Sequence, residues 1–158
     1  MSKIDFETIL DEVKTVMTAN LNTRISAITA EKGSGVSLRT IDSAAYFLQT
    51  LDSRPAMFDP FVFYGISNIE GDGGHSATPM KLTMFCIIVC SDDGEDDQTA
   101  RRMFRYQRAL REIFEENFEL PESSVKLSVS SLVPVEVTLL NTTQSHRAIG
   151  VELVADLG

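Results

Sequence analysis

Apolar residues in the first part of the chain recur at helical spacing. Phe6, Ile9, Leu10, Val13, Val16 and Met17 form one stripe, which continues through Leu21, Ile25 and Ile28. Ser2 is a fair N-cap, and Asp5 lies close to the helix start, where the macrodipole favours a negative charge. Asn20, Asn22 and Thr23 are weak helix formers, so the pattern predicts a break or bend near Asn20. The "GSG" at 33–35 ends the segment. "VSLRTI" then reads as extended, and "DSAAYFLQTLDS" as a short helix capped by Asp42. Pro55 and Pro60 bracket an irregular "PAMFDP" that disfavours helix on both sides.

From residue 61 the period shortens to that of strands. "FVFYGISNI" is rich in aromatic and branched residues, and "GDGGHS" at 71–76 reads as a loop. "MKLTMFCIIVC" predicts the strongest strand. Its early part alternates Met80, Leu82 and Met84 against Lys81 and Thr83. Its later part is apolar on both faces, with Phe85, Ile87 and Val89 on one and Cys86 and Ile88 on the other. That pattern belongs to a central strand with helices on at least one side. "SDDGEDD" leads into the longest helix, roughly 95–118, whose buried face is expected from Met103, Phe104, Tyr106, Leu110, Ile113, Phe114 and Phe118. "LPESS" breaks it. "VKLSVSSLV" and "VEVTLL" alternate, "NTTQ" turns, and "RAIGVELVADL" closes the chain with Ile149, Val151, Leu153 and Ala155 inward. The expected fold is a single α+β domain over 1–158, with a mostly antiparallel 4–5-stranded sheet, an N-terminal helix and one long helix packed on it.

With 158 residues the chain is long enough to bury a sound core in one domain. The opening residues "MSKIDFETIL" carry charges among the apolar positions, unlike the apolar region of a signal peptide. The longest apolar run, "MFCIIVC", is too short to span a bilayer. A protein made and kept in a cytoplasm is expected. The formal net charge of −9 speaks against a nucleic-acid grip or an anionic membrane surface as partner. It is compatible with a wall along which DNA passes without sticking.

Cys86 and Cys90 are the only cysteines. On one strand face they stand about 13 Å apart, whereas a disulfide needs Cα atoms within roughly 7 Å. Buried free thiols are expected. His75 and His146 lie in or beside loops, outside any Cys-His, Ser-His-Asp or His-x-x-x-His spacing, and read as exposed. "SDDGEDD" has acids, but adjacent rather than alternating, and position twelve counted from Asp92 is Met103. Acids at a helix N-terminus explain it better than calcium. "GDGGH" lacks the phosphate-loop pattern. It reads as a hairpin tip, and Asp72, Gly73, Gly74 and His75 form a candidate docking loop. No catalytic, cofactor-binding or metal-ligating residue emerges.

"RRMFRYQRALR" at 101–111 places five arginines in an acidic chain. Arg101, Arg105 and Arg108 share one stripe of the long helix, with Arg102 beside it. Glu112, Glu115, Glu116 and Glu119 follow. Arg108 and Arg111 can reach Glu112 and Glu115 at i+4, and Asp96 and Asp97 can pair with Arg101. One reading is a solvated face with internal ion pairs. The other is a bipolar surface that meets a neighbouring copy head to tail. Arg101, Arg102, Arg105, Arg108, Glu112 and Glu115 are then the candidate subunit interface.

The layout of an N-terminal amphipathic helix, a Pro-bounded strand, a long central strand running into "RYQRALREIF" and a closing alternating strand resembles the tail-terminator and tail-completion proteins of long-tailed bacteriophages. Related head–tail joining proteins share much of it. The feature with most weight is "RYQRALR" at 105–111, and the likeness extends over about residues 1–156. "PAMFDP" and the extended segment at 33–41 depart from it. The resemblance implies a virion neck subunit, made in the host cytoplasm. Such a homo-oligomeric ring, commonly a hexamer, caps the tail tube and docks to the head connector. It implies no cofactor, no catalysis and no membrane, with DNA passing through unbound. Apolar helix faces on residues 4–17 would add to the ring interface. Two alternatives stand beside it: a non-enzymatic cytoplasmic α+β binding or regulatory module with a concave apolar pocket, and an enzyme using scattered carboxylates.

Overall fold

The computed structural model describes residues 5–33, 35–36, 38–48, 58–71, 80–92, 96–137 and 145–157. Two helices, α1 (Phe6–Lys32) and α2 (Asp96–Glu116), accompany six strands: β1 (Tyr46–Leu48), β2 (Phe61–Glu70), β3 (Lys81–Ser91), β4 (Leu127–Ser131), β5 (Val135–Val137) and β6 (His146–Asp156). The single-domain α+β architecture agrees with the pattern read from the chain. Among the described residues the sheet has six strands rather than four or five.

The strands form one sheet in the order β1-β2-β3-β6-β4, with β5 also on β6. All pairings are antiparallel except β1 with β2. The strand beyond the expected five is β1, and one interruption separates β4 from β5. Between Ser131↔Val151 and Val135↔Ala148, residues 132–134 oppose only Ile149 and Gly150. This extra residue makes a bulge, a position where a strand tolerates Pro134. Gln107 of α2 holds the bulge by donating Nε2–H to the carbonyls of Leu132 (2.5 Å) and Gly150 (2.9 Å).

Asp5 caps α1, accepting from the Glu7 N–H at 3.0 Å and the Thr8 hydroxyl at 2.9 Å. Ser2 lies outside the described residues. The expected break near Asn20 does not occur. Asn20 Nδ2 donates to the Val16 carbonyl at 2.9 Å, and Asn22 clamps the Ile41 backbone from both sides, accepting at 2.7 Å and donating at 2.8 Å. These bonds and the buried stripe from Ile9 to Ile28 outweigh the low propensity of the asparagines.

The short helix expected after Asp42 is corrected to a single turn and a strand. Asp42 does cap, receiving Ala44 N–H at 2.8 Å on its side chain and Ala45 N–H at 2.9 Å on its carbonyl. The chain then enters β1, where Tyr46, Phe47 and Leu48 pair with Val62, Phe63 and Tyr64. Pairing with an existing strand satisfies this backbone where a two-turn helix would be marginal. The "VSLRTI" segment joins no strand among its described residues.

Both helices pack on one sheet face. Leu82, Met84, Cys86 and Ile88 of β3 point toward them with Val62, Tyr64, Ile149, Val151, Leu153 and Ala155, all buried. Met103, Tyr106, Leu110, Ile113 and Phe114 cover them from α2. Phe104 and Phe118, expected on that buried face, instead point outward at 56% and 50% exposure. Met103, Tyr106, Leu110 and Ile113 already define the inward direction of α2, and Phe104 falls on the opposite side at 100° per residue.

Candidate functional site

The charged surface of α2 separates into an inner seam and an outer stripe. The seam joins α2 to α1, which runs antiparallel beside it. Arg108 makes a two-pronged bond to the Glu31 carboxylate, at 3.1 and 2.8 Å, and a third to Glu112 at 2.8 Å. Glu112 also faces Arg24 at 3.4 Å, and Arg24 continues to Glu116. The hydrogen bonds from Arg108 hold the Glu31 carboxyl below its ordinary value. Reciprocally, Glu31 and then Glu112 raise Arg108. Arg108 and Glu112 are therefore committed to the fold.

The other predicted interface residues differ in setting. Arg105 is half-buried and donates to the Val36 carbonyl at 3.4 Å. Arg102 lines one small cavity together with Cys90. Arg101 and Glu115 stay on the surface in i,i+4 pairs, with Asp97 at 3.1 Å and Arg111 at 3.6 Å. The chain pattern indicated the partners Asp97–Arg101, Arg108–Glu112 and Arg111–Glu115. It did not indicate Arg24 and Glu31, which come from the far side of the helix pair. The candidate docking loop, Asp72, Gly73, Gly74 and His75, lies outside the described residues.

Glu12 was also missed. It sits inside the apolar stripe of α1, buried at 6% exposure. Its carboxylate accepts the N–H groups of Glu122 (2.7 Å) and Ser123 (2.8 Å) and the Ser123 hydroxyl (2.6 Å). A carboxylate interrupting a buried stripe was the available signal. Beside it runs a groove of about 340 Å³ between α1 and the turn after α2, lined by Thr8, Asp11, Thr15, Asn117 and Glu119 among others.

A smaller cavity of about 90 Å³ gathers Arg39, Asp59, Cys90, Ser91, Arg102 and Tyr106. Its polar groups are engaged in structure. The Tyr106 hydroxyl accepts from the Arg39 N–H and donates to the Arg39 carbonyl, both at 2.9 Å. Asp59 accepts from the Ser91 N–H at 3.0 Å, from the Ser91 hydroxyl and from Arg39 at 3.4 Å. Burial pushes the Cys90 thiol up to about 12 and raises Cys86 further. Both cysteines are free and buried, as expected. These raised thiols are poor nucleophiles, and the cavity reads as a joint between α2, β3 and the 38–42 segment.

His146, expected exposed, is buried at the start of β6, because this strand begins earlier than its alternation suggested. His75 lies outside the described residues, as do residues 93–95 of "SDDGEDD". Asp92 of that run accepts from Arg147 at 2.9 Å and Thr99 at 3.3 Å. Among the described residues no three His, Cys, Asp or Glu side chains converge to hold a metal ion. No helix among them is long and apolar enough to cross a membrane.

No protein-family model matches the chain, and no curated protein matches it significantly.

Proposed function

We propose that this chain is a structural subunit of a bacteriophage neck, a tail-terminator-like protein whose copies form a ring. The ring caps the tail tube and docks to the head connector, without catalysis or cofactor. The observation that carries this reading is the second face of the sheet. Both helices cover the other face, and among the described residues none lies on this one. An antiparallel sheet exposed on one side ordinarily turns polar residues outward there. Here Phe63 and Phe85 pack ring to ring at 5.0 Å and, with Ile87 and Val154, form a partly exposed apolar patch beside Thr83 and Glu152, while Phe61, Val89 and Ala148 on the same face are buried. An apolar sheet face of this kind suits contact with another protein surface. The net charge of −9 suits a conduit that DNA crosses without being held.

The test is assembly. Native mass spectrometry and negative-stain imaging of the purified chain, alone and with tail-tube protein, are expected to give closed rings of one copy number. A chain that stays monomeric in both conditions refutes the reading. Retention on duplex DNA at moderate salt would also count against it.

A further inference from the structure

We propose that successive copies join through the two ends of α2. Phe118 of one copy seats in the groove beside Phe104 of the next, with Arg101 facing the carboxylates around Phe118. This deepens the ring reading and rests on it.

Phe104 lies on the outward side of α2, and Phe118 lies just beyond the helix end at Glu116, both exposed. Their settings are unlike. Phe104 lines an apolar groove of about 300 Å³ with Thr99, Ala100, Met103, Pro134 and Arg147. Pro134 is flanked by Val133 and Val135, exposed at 80% and 52%. This end is a concave apolar patch, and Arg101 lies on the turn of α2 before Phe104. Phe118 projects just past the last turn of α2 between exposed Glu115 and Glu119. That end is an aromatic knob flanked by two glutamates, with exposed Lys126 across from Glu119.

Knob and groove complement one another in shape, in apolarity and in charge. Arg101 is available for exchange. Its bond to Asp97 joins two largely exposed side chains, at 60% and 83%, and such pairs contribute little. Glu115 likewise pairs with Arg111 at the surface, at 55% and 45% exposure. Arg147 is held by Asp92 and serves as a wall of the groove. Because the two surfaces differ, the contact is heterologous, and it propagates from copy to copy until the rotation closes a ring. A buried aromatic anchor with charges at its rim is the usual composition of an interface hot spot.

The test uses two variants, Phe104→Ser, which removes the groove wall, and Phe118→Ser, which removes the knob. Both side chains are half-exposed, so circular dichroism and melting temperature should match the unaltered chain. Native mass spectrometry over a concentration series should show each variant associating roughly tenfold or more weakly, as for loss of a hot-spot residue. Mixed together they should form a 1:1 heterodimer and nothing larger, since each pair retains one intact knob and one intact groove. Rings that persist in both variants overturn the inference and leave the ring reading standing. A mixture that stays monomeric also overturns it. A monomeric unaltered chain, alone and with tail-tube protein, removes both.

Discussion

The carboxylate of Glu12, near the start of the buried side of α1, receives both the backbone N–H and the hydroxyl of Ser123, at 2.8 and 2.6 Å. With the Glu122 N–H at 2.7 Å, this single side chain ties the N-terminal helix to the turn that leads from α2 into the sheet. Three donors on one buried acceptor make Glu12 a structural post. Replacing it by Ala removes the acceptor of two part-buried N–H groups and one hydroxyl. Glu12→Ala is expected to lower stability by about 2–4 kcal/mol, from charge-assisted bonds and the donors they leave unsatisfied. Urea unfolding should show a reduced midpoint with little change in slope. A loss below about 0.5 kcal/mol, the usual range for an inert surface change, would mean that water or a neighbour replaces the carboxylate.

The seam between the helices has a pH signature. The Arg108 hydrogen bonds hold Glu31 below its ordinary value. A carboxylate lowered in the folded state contributes stability that is fully present above its unfolded value. The contribution is lost as pH falls through the lowered folded value. Arg108 stays charged throughout that window. In Arg108→Met, a carboxyl NMR titration should find Glu31 returned toward 4.5, with the acid limb of the stability profile flattened accordingly. An unchanged Glu31 titration would show that the seam is not held in solution.

Gly150 has no room for a side chain. A Cβ there would lie 2.0 Å from the Cys86 carbonyl oxygen, part of the backbone of the central strand. Its own carbonyl meanwhile receives the Leu132 N–H at 3.0 Å and Gln107 Nε2 at 2.9 Å. Gly150→Ala forces β3 and β6 apart at the bulge and should cost about 2–3 kcal/mol, as overpacking does. Thermal unfolding checks this. An unshifted melting temperature would contradict the register Ile87↔Gly150.

The two thiols should be chemically silent in the native protein. Both are free and buried, and Cys90 is pushed up to about 12. A thiol-disulfide reagent at neutral pH should modify neither in the native protein, and both at once after denaturation. Fast modification of Cys90 alone would mean that the joint around Asp59 and Tyr106 opens.

Aromatic and branched composition identified β2, an apolar run with early alternation identified β3, alternation identified β6, and period-3.6 spacing identified both helices, because each signal is local. Asn22 shows its limit. Its side chain counts against a helix by propensity, yet it bonds Ile41, a residue distant in sequence, and the helix runs through. Likewise "YFL" at 46–48 has no local preference strong enough to choose between a short helix and a strand, and β2 decided it.

The sequence by itself determined the class of fold, the central place of β3, the free cysteines and three i,i+4 ion pairs on α2. Each depends on neighbours within a few residues. Only the tertiary structure decided which charges turn inward. Arg108 reads as surface in the chain, but Glu31 of α1 captures it. It also decided which aromatics turn outward. Phe104 and Phe118 fit an amphipathic stripe by composition, and the inward direction was already taken by Met103, Tyr106, Leu110 and Ile113. A helix has only one side toward a sheet, and which residues occupy it depends on the surface it meets.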